Sequence, residues 1–385
     1  MINRKRLSDL FLDLVRISSP SRGEHEVAAR LREELTALGA EVTVDGAGEQ
    51  VGGTTGNLIG RIRGTAPGAP ALLLSAHMDT VVPCEKVRPV VEGTIVRTDG
   101  TTVLGGDDKS GCAIIVEALR TLREQGLAHG DVEVVFTICE EMGLLGAKHL
   151  DVAALRSRTG LVLDCDGVDE LITQGPAADK MVFRVHGREA HAGVAPETGI
   201  SAIRVAAEAI AAMRLGRIDE ETTANLGVIE GGLAANIVPP AVLIRGEARS
   251  RDLEKLHAQS RHMRECFETA AGRHEVGAGS EAHRARVEAE IRRDYDLLNV
   301  PADARIVRLV TAAARGLGRE VRVRATGGGC DANVLNGKGL QIANLGTGMR
   351  EIHTVKEWID LRDLWAVAAL TLEVLRLAAE PPAPA

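Results

Sequence analysis

Residues 71–76 read Ala-Leu-Leu-Leu-Ser-Ala and run directly into His77-Met78-Asp79-Thr80. A near-continuous apolar run of this length suits a strand buried on both faces, the state of a strand in a helix-covered parallel sheet. Residues 131–138 and 160–164 repeat the pattern, and residues 41–45 and 57–62 read as further strands. Helical periodicity separates these runs. Leu7, Phe11, Leu14 and Val15 share one helical face. Ser21 and Glu24 are spaced as a capping box before Val27, Leu31 and Leu35. Residues 110–125 read as a long helix and 144–150 as a short one. The alternation predicts an α/β domain: a mixed, largely parallel sheet with helices on both faces.

The pattern changes at Gly175-Pro176. Residues 180–187 alternate apolar and polar, as a half-exposed antiparallel strand does. A helix is expected over 199–213, strands over 225–229 and 237–249, a helix over 253–271 and a last strand over 287–295. These describe a small α+β sandwich. From Pro301 the α/β pattern resumes, with a helix to about residue 315, a strand over 320–324 and a helix after Asp360. The expected organisation is therefore one domain from 1–175 and 297–385, with a second domain, 176–296, inserted into it. The proline tail, residues 381–384, is expected to be disordered.

Composition excludes several classes. The 385 residues are 45% hydrophobic and 26% charged, as in ordinary globular proteins. Net charge is −8, from 46 basic and 54 acidic side chains with no basic stripe, so nucleic acid is not an expected partner. No apolar run reaches the roughly 18 residues of a membrane span, so no membrane association is expected. The opening Met-Ile-Asn-Arg-Lys-Arg lacks the apolar stretch and cleavage site of a secretory signal. Six cysteines with no CxxC pair do not form a disulfide framework, which makes a reducing cytoplasm the expected location. Aromatics are only 2%, so the core must be aliphatic.

Chemistry collects where the strands end. His77 and Asp79, two apart, share a face at the carboxyl end of a buried strand, where open α/β sheets place ligands. They form either a polar strand end or a metal ligand with its orienting carboxylate. Gly105-Gly106-Asp107-Asp108-Lys109-Ser110-Gly111 precedes a helix. Its carboxylates act as a cap and dipole partner, or one of them bridges two metal ions. Residues 131–138 end in Cys139-Glu140-Glu141. Two acids there are costly unless solvated or paired with cations. The functional reading has one bind metal while its neighbour takes a proton from water. Asp164 closes the third run, with Asp166 competing as ligand, and His353 stands alone in a glycine-marked loop. The joint pattern matters most: three apolar strands end in His, Asp or Glu, and all can open on one sheet edge. Mixed imidazole and carboxylate ligands suit zinc, or cobalt and manganese.

The sequence resembles the M20 metallopeptidases, in particular their peptidase T (tripeptidase) branch. The resemblance lies in SAHMDT at 75–80, LGGDDKSG at 104–111, EEMGLLGA at 140–147, VLD at 162–164, HAG at 191–193, GLAANIVP at 232–239, EAR at 247–249, GGCD at 328–331 and His353. It implies a metallopeptidase domain with an inserted lid and dimerisation domain. It also implies two divalent ions, Zn2+ or else Co2+ or Mn2+. His77 and Asp164 would bind the first, Glu141 and His353 the second, and Asp107 both. Asp79 would support His77, Glu140 would be the general base, and the Asp107–Asp108 peptide bond would be cis. His191 would stabilise the oxyanion, while Asn236, Arg249, Gly328 and Asp331 would hold the substrate. The implied activity is aminopeptidase or tripeptidase cleavage of short peptides. N-acyl amino acid amidohydrolase or carboxypeptidase activity is the alternative, and a non-catalytic binding protein the remaining one. A homodimer through the lid is expected, with residues 181–185 as the exposed strand edge.

Overall fold

The computed structural model describes residues 1–380; the proline tail expected to be disordered lies outside them. The chain divides into two compact units. The first comprises Met1–Gly175, Leu298–Thr326 and the chain from Cys330 on; the second comprises Pro176–Leu297 with Gly327–Gly329. The return crossing thus follows Leu297, just past the expected boundary at 296, and the three glycines group with the second unit.

The first unit is built on a nine-stranded sheet. Its order is Glu41–Val44, Leu58–Ile62, Val132–Thr137, Leu72–His77, Thr159–Cys165, Gln341–Gly346, Glu170–Gly175 and Leu298–Asn299, with Arg322–Ala325 also paired to Glu170–Gly175. The four strands from Val132–Thr137 to Gln341–Gly346 are mutually parallel. Leu72–His77 is buried at every position, as its apolar run requires. Gln341–Gly346 was not expected as a strand. It is short, and Asn344 and Gly346 interrupt its apolar pattern, yet it fills the sheet centre between two strands from the first half of the chain.

The helix Gly106–Glu124 packs on the strands Leu72–His77 and Thr159–Cys165. Gly111 makes this approach possible, because a Cβ there would lie 2.2 Å from the Leu163 carbonyl oxygen. The helix is regular only after Asp108. Asp107 and Asp108 have non-helical dihedrals, and the peptide bond between them is cis. Buried Glu117 anchors the same helix to Arg4–Arg16, accepting from Arg6 Nε at 2.8 Å and Nη2 at 2.9 Å.

One capping expectation is corrected. The helix His25–Ala37 has Glu24 at its N-cap with no side-chain cap bond. Ser21 Oγ donates instead to Asp79, and the Glu24 carboxylate accepts from Arg22 N and Cys139 N. Ser21 is drawn to Asp79 and Glu24 to Cys139, groups that follow other strands.

The second unit is a five-stranded antiparallel sheet in the order Gly216–Arg217, Thr222–Gly231, Ala241–Ser250, Ala177–His186, Arg286–Tyr295. The helices Ala202–Ala211 and Leu253–Ala271 pack on it. The expected strand over 237–249 is split, because Pro239 and Pro240 lack amide donors. Ile237–Val238 pairs with Ala190–His191, and Ala241–Ser250 joins the main sheet. The expectation of an edge at 181–185 is overturned. Ala177–His186 pairs with strands on both sides, and Met181, Phe183 and Val185 are buried. Pairing with Ala241–Ser250 on one side and Arg286–Tyr295 on the other makes the strand central, while the alternation of those three side chains only turns one face inward.

The core of this unit centres on Phe183 stacked against Phe267, with ring centroids 4.4 Å apart. Phe267→Ala should destabilise the unit by about 3–5 kcal/mol, the cost of a large buried cavity. Urea unfolding followed by circular dichroism should show a lowered midpoint; an unchanged midpoint would contradict this packing.

Candidate metal centre

Parallel register brings the three predicted strand ends to one edge. His77 lies opposite Thr137, and Ser75 opposite Val162, so His77, the turn after Thr137 and Asp164 emerge side by side. His77 Nε2 is 3.0 Å from Asp107 Oδ1 and 3.6 Å from Asp164 Oδ1. The other oxygen of the same carboxylate, Asp107 Oδ2, is 3.1 Å from His353 Nε2, which is 3.0 Å from Glu141 Oε1. Asp107 therefore stands between two half-sites. The ligand atoms of His77, Asp107 and Glu141 lie within 4.8 Å of one another, as do those of His77, Asp108 and Asp164.

Neighbouring groups fix these side chains. His77 Nδ1 lies 2.8 Å from the Asp79 backbone oxygen, an acceptor only, so Nδ1 carries a proton and Nε2 is the nitrogen directed at the site. The Asp79 carboxylate is farther from Nδ1, at 3.4 Å. It accepts from Glu140 N at 2.9 Å, Glu141 N at 3.2 Å and Ser21 Oγ at 2.6 Å. Asn344 holds the backbone of Asp164 through both its nitrogen and its oxygen. Asp166 turns away to Arg324 Nη2 at 2.8 Å, so Asp164 alone of that pair joins the cluster.

The electrostatics are those of crowded anions. Burial, with the charges of Asp107 and Glu141, pushes Asp164 up to about 7. Burial and Asp164 raise Glu140 and Asp108 well above the usual carboxyl range. Burial would depress His77, yet Asp107 and Asp164 hold it well above its ordinary value. Asp107 and Glu141 lift His353 to about 10. Burial works against ionisation of Asp107, but the two imidazoles outweigh it and keep the carboxyl below its usual range. Five carboxyl groups crowd two imidazoles, and protons are held where divalent cations would otherwise offset the charge of the ionised carboxylates. One observation makes the fit specific: Glu141 Oε1 is buried and accepts no hydrogen bond despite the 3.0 Å approach of His353 Nε2. Nitrogen and carboxylate oxygen donors in this mixture suit zinc, cobalt or manganese.

Several supporting residues were not anticipated. Buried Glu357 accepts Gly105 N at 2.8 Å and Asp107 N at 2.9 Å, tying the Asp107 turn to the loop that carries His353. A Cβ at Gly106 would lie 2.9 Å from Glu357 Oε1. The Lys109 side chain is fully buried and donates to Ile17 O at 2.5 Å, and burial brings it down to about 8. An acid four residues after His353 was the one available signal for Glu357; nothing in the sequence marked Asn344.

The remaining expected site residues fall as follows. Asp331 opens the helix Asp331–Gly337 in the first unit and is buried, accepting from Thr137 Oγ1 at 2.5 Å. Burial lifts its carboxyl to about 6. His191, Asn236, Arg249 and Gly328 belong to the second unit. His191 is exposed and next to Asn236 in space, since Ala192 N donates to Asn236 O at 2.9 Å. Arg249 makes a two-pronged contact with Glu247, at 2.9 and 3.1 Å.

Among the described residues no helix is long and apolar enough to cross a membrane. The chain is 42% identical over 381 residues to the uncharacterised protein YqjE of Bacillus subtilis strain 168, covering 99% of this chain and 100% of that one. Its fold is similar to that of aminopeptidase PepT from Bacillus cereus ATCC 10987 (TM-score 0.89, 40% identity, 98% of this chain and 100% of that chain). It is also similar to that of a tripeptidase from Staphylococcus aureus subsp. aureus Mu50 (TM-score 0.92, 36% identity, 98% and 99%). Peptidase family M20/M25/M40 matches residues 73–377, which take in every strand end and loop of the acidic cluster, and the chain belongs to that family.

Proposed function

We propose that this protein is a two-metal aminopeptidase of tripeptidase type that hydrolyses short peptides. The observation that carries the reading is the Asp107 carboxylate with one oxygen toward His77 and the other toward His353. In this reading His77 and Asp164 hold one ion, Glu141 and His353 the other, and Asp107 both, with zinc the favoured metal. Ions held there would supply Lewis acidity at the scissile carbonyl. Glu140 accepts the proton of the attacking water and delivers it to the leaving amine; its buried, anion-rich surroundings favour the protonated carboxyl it must become. His191 donates to the carbonyl oxygen as charge develops there. Asn236, Arg249, Gly328 and Asp331 position the peptide. The planar fork that Arg249 offers Glu247 suits a peptide carboxylate equally well. The six unpaired cysteines support a reducing, cytoplasmic location.

Dimerisation through the second unit is also proposed. The strand Thr222–Gly231 pairs outward with Gly216–Arg217 at Thr223 and Ala224, and its later residues include the exposed Val228 and Ile229. Ile229→Lys should convert a dimer to monomer in light scattering; a monomeric wild type would remove the proposal.

Glu140→Gln should cut turnover of a tripeptide by about 10²–10⁴-fold while two metal equivalents remain bound. Asp107→Ala should instead lose metal. Wild-type cleavage of N-acetyl amino acids in preference to tripeptides would overturn the substrate class, and full activity of Glu140→Gln its role.

Chelation gives a pH test. The raised values of Asp164, about 7, and His353, about 10, stabilise the fold below the unfolded values and lose that contribution as pH rises through them. Ions displace these protons, so they stabilise more as pH rises. The melting temperature gap between metal-loaded and chelated protein should widen from about pH 6 to about pH 8. A gap that narrows would refute metal binding at these groups.

A further inference from the structure

Three consecutive amides lead into the glutamate pair, and buried carboxylates hold all of them. Cys139 N donates to Glu24 Oε1 at 3.0 Å, Glu140 N to Asp79 Oδ1 at 2.9 Å and Glu141 N to Asp79 Oδ2 at 3.2 Å. The arrangement answers a local difficulty. Cys139 has φ 49°, the left-handed region that residues with a Cβ avoid. That turn swings the chain out of the strand Val132–Thr137 and decides where Glu140 and Glu141 point.

Both braces trace back to one short segment near the N-terminus, residues 17–24. Glu24 is completely buried, and its Oε1 also accepts Arg22 N at 2.9 Å. Ser21 Oγ donates to Asp79 Oδ2 at 2.6 Å, clamping the carboxylate that holds the other two amides. The backbone of the segment is fixed in turn: Ser19 O accepts Thr80 N at 2.9 Å, and Ile17 O accepts Lys109 Nζ at 2.5 Å. The segment 17–24 itself precedes the residues 73–377 that the family match covers.

We infer that Glu24 and Ser21 are positioning residues, and that the segment 17–24 sets the aim of Glu140 and Glu141 by bracing the Cys139 turn. The inference rests on the roles proposed above for that pair. Glu24 works through one oxygen, since its Oε2 is buried without a hydrogen-bond partner. Glutamine keeps an accepting oxygen for the Arg22 and Cys139 amides, whereas alanine removes it.

The test compares Glu24→Gln, Glu24→Ala, Ser21→Thr and Ser21→Ala in the full chain, each loaded with cobalt(II). Two readouts are taken: the visible cobalt spectrum and the kcat and KM for a tripeptide. Both alanine variants should shift the spectrum and lower kcat by about 10–100-fold with KM little changed, while Gln and Thr should restore both. If Glu24→Ala does not fold, Ser21→Ala, at a half-buried position, decides. Alanine variants that fold with unchanged spectrum and kcat would overturn the inference, as would a Glu24→Gln as impaired as Glu24→Ala. A wild type inactive on tripeptides would strike the proposed function instead, and the spectrum would still report on the brace.

Discussion

Asp107 divides its two oxygens between His77 and His353, at 3.0 and 3.1 Å, and the rest of the first unit is organised to make that possible. A carboxylate in this position must be buried, must lie between imidazoles from two distant parts of the chain, and must tolerate four other acids nearby. Each requirement costs free energy unless cations offset it. The solution is to attach each of these side chains to backbone fixed by the sheet or by neighbouring hydrogen bonds. Strand ends supply His77 and Asp164, and the cis-linked turn ahead of a long helix supplies Asp107. Glu357 then fastens that turn to the loop of His353. Repulsion among the acids is thus resisted by the sheet itself, which holds them in place.

What could be read from the sequence follows from how local each signal was. The strands Leu72–His77, Val132–Thr137 and Thr159–Cys165 were legible because burial on both faces demands unbroken apolar runs. The chemistry at their ends was legible because acids and histidines are expensive beside such runs. Asp164 was separable from Asp166 only in three dimensions, where Arg324 claims the latter. The strand Gln341–Gly346 was hidden because its place depends on neighbours that come much earlier in the chain.

The misreadings have the same origin. Ser21 and Glu24 have the spacing of a helix cap, and local spacing alone cannot reveal that Asp79 and Cys139 compete for them. The alternation over residues 181–185 gave the two faces of a strand correctly but carried nothing about its edges, which depend on strand order. Lys109 carried no expectation of its own, and it is sealed beneath the site with its ammonium held by a backbone carbonyl.

The insertion has a consequence for how the chain is made. Residues 176–297 are nearly self-contained, so this unit can close as soon as it leaves the ribosome. The sheet of the first unit cannot. Thr159–Cys165 and Glu170–Gly175 are synthesised early, but the strand that pairs with both, Gln341–Gly346, arrives almost last. Until then two apolar strands stand with unpaired edges, the kind of surface that invites pairing with other chains. Translation of the inserted unit sets the length of that wait, so the order of segments along the chain fixes how long those edges stay open.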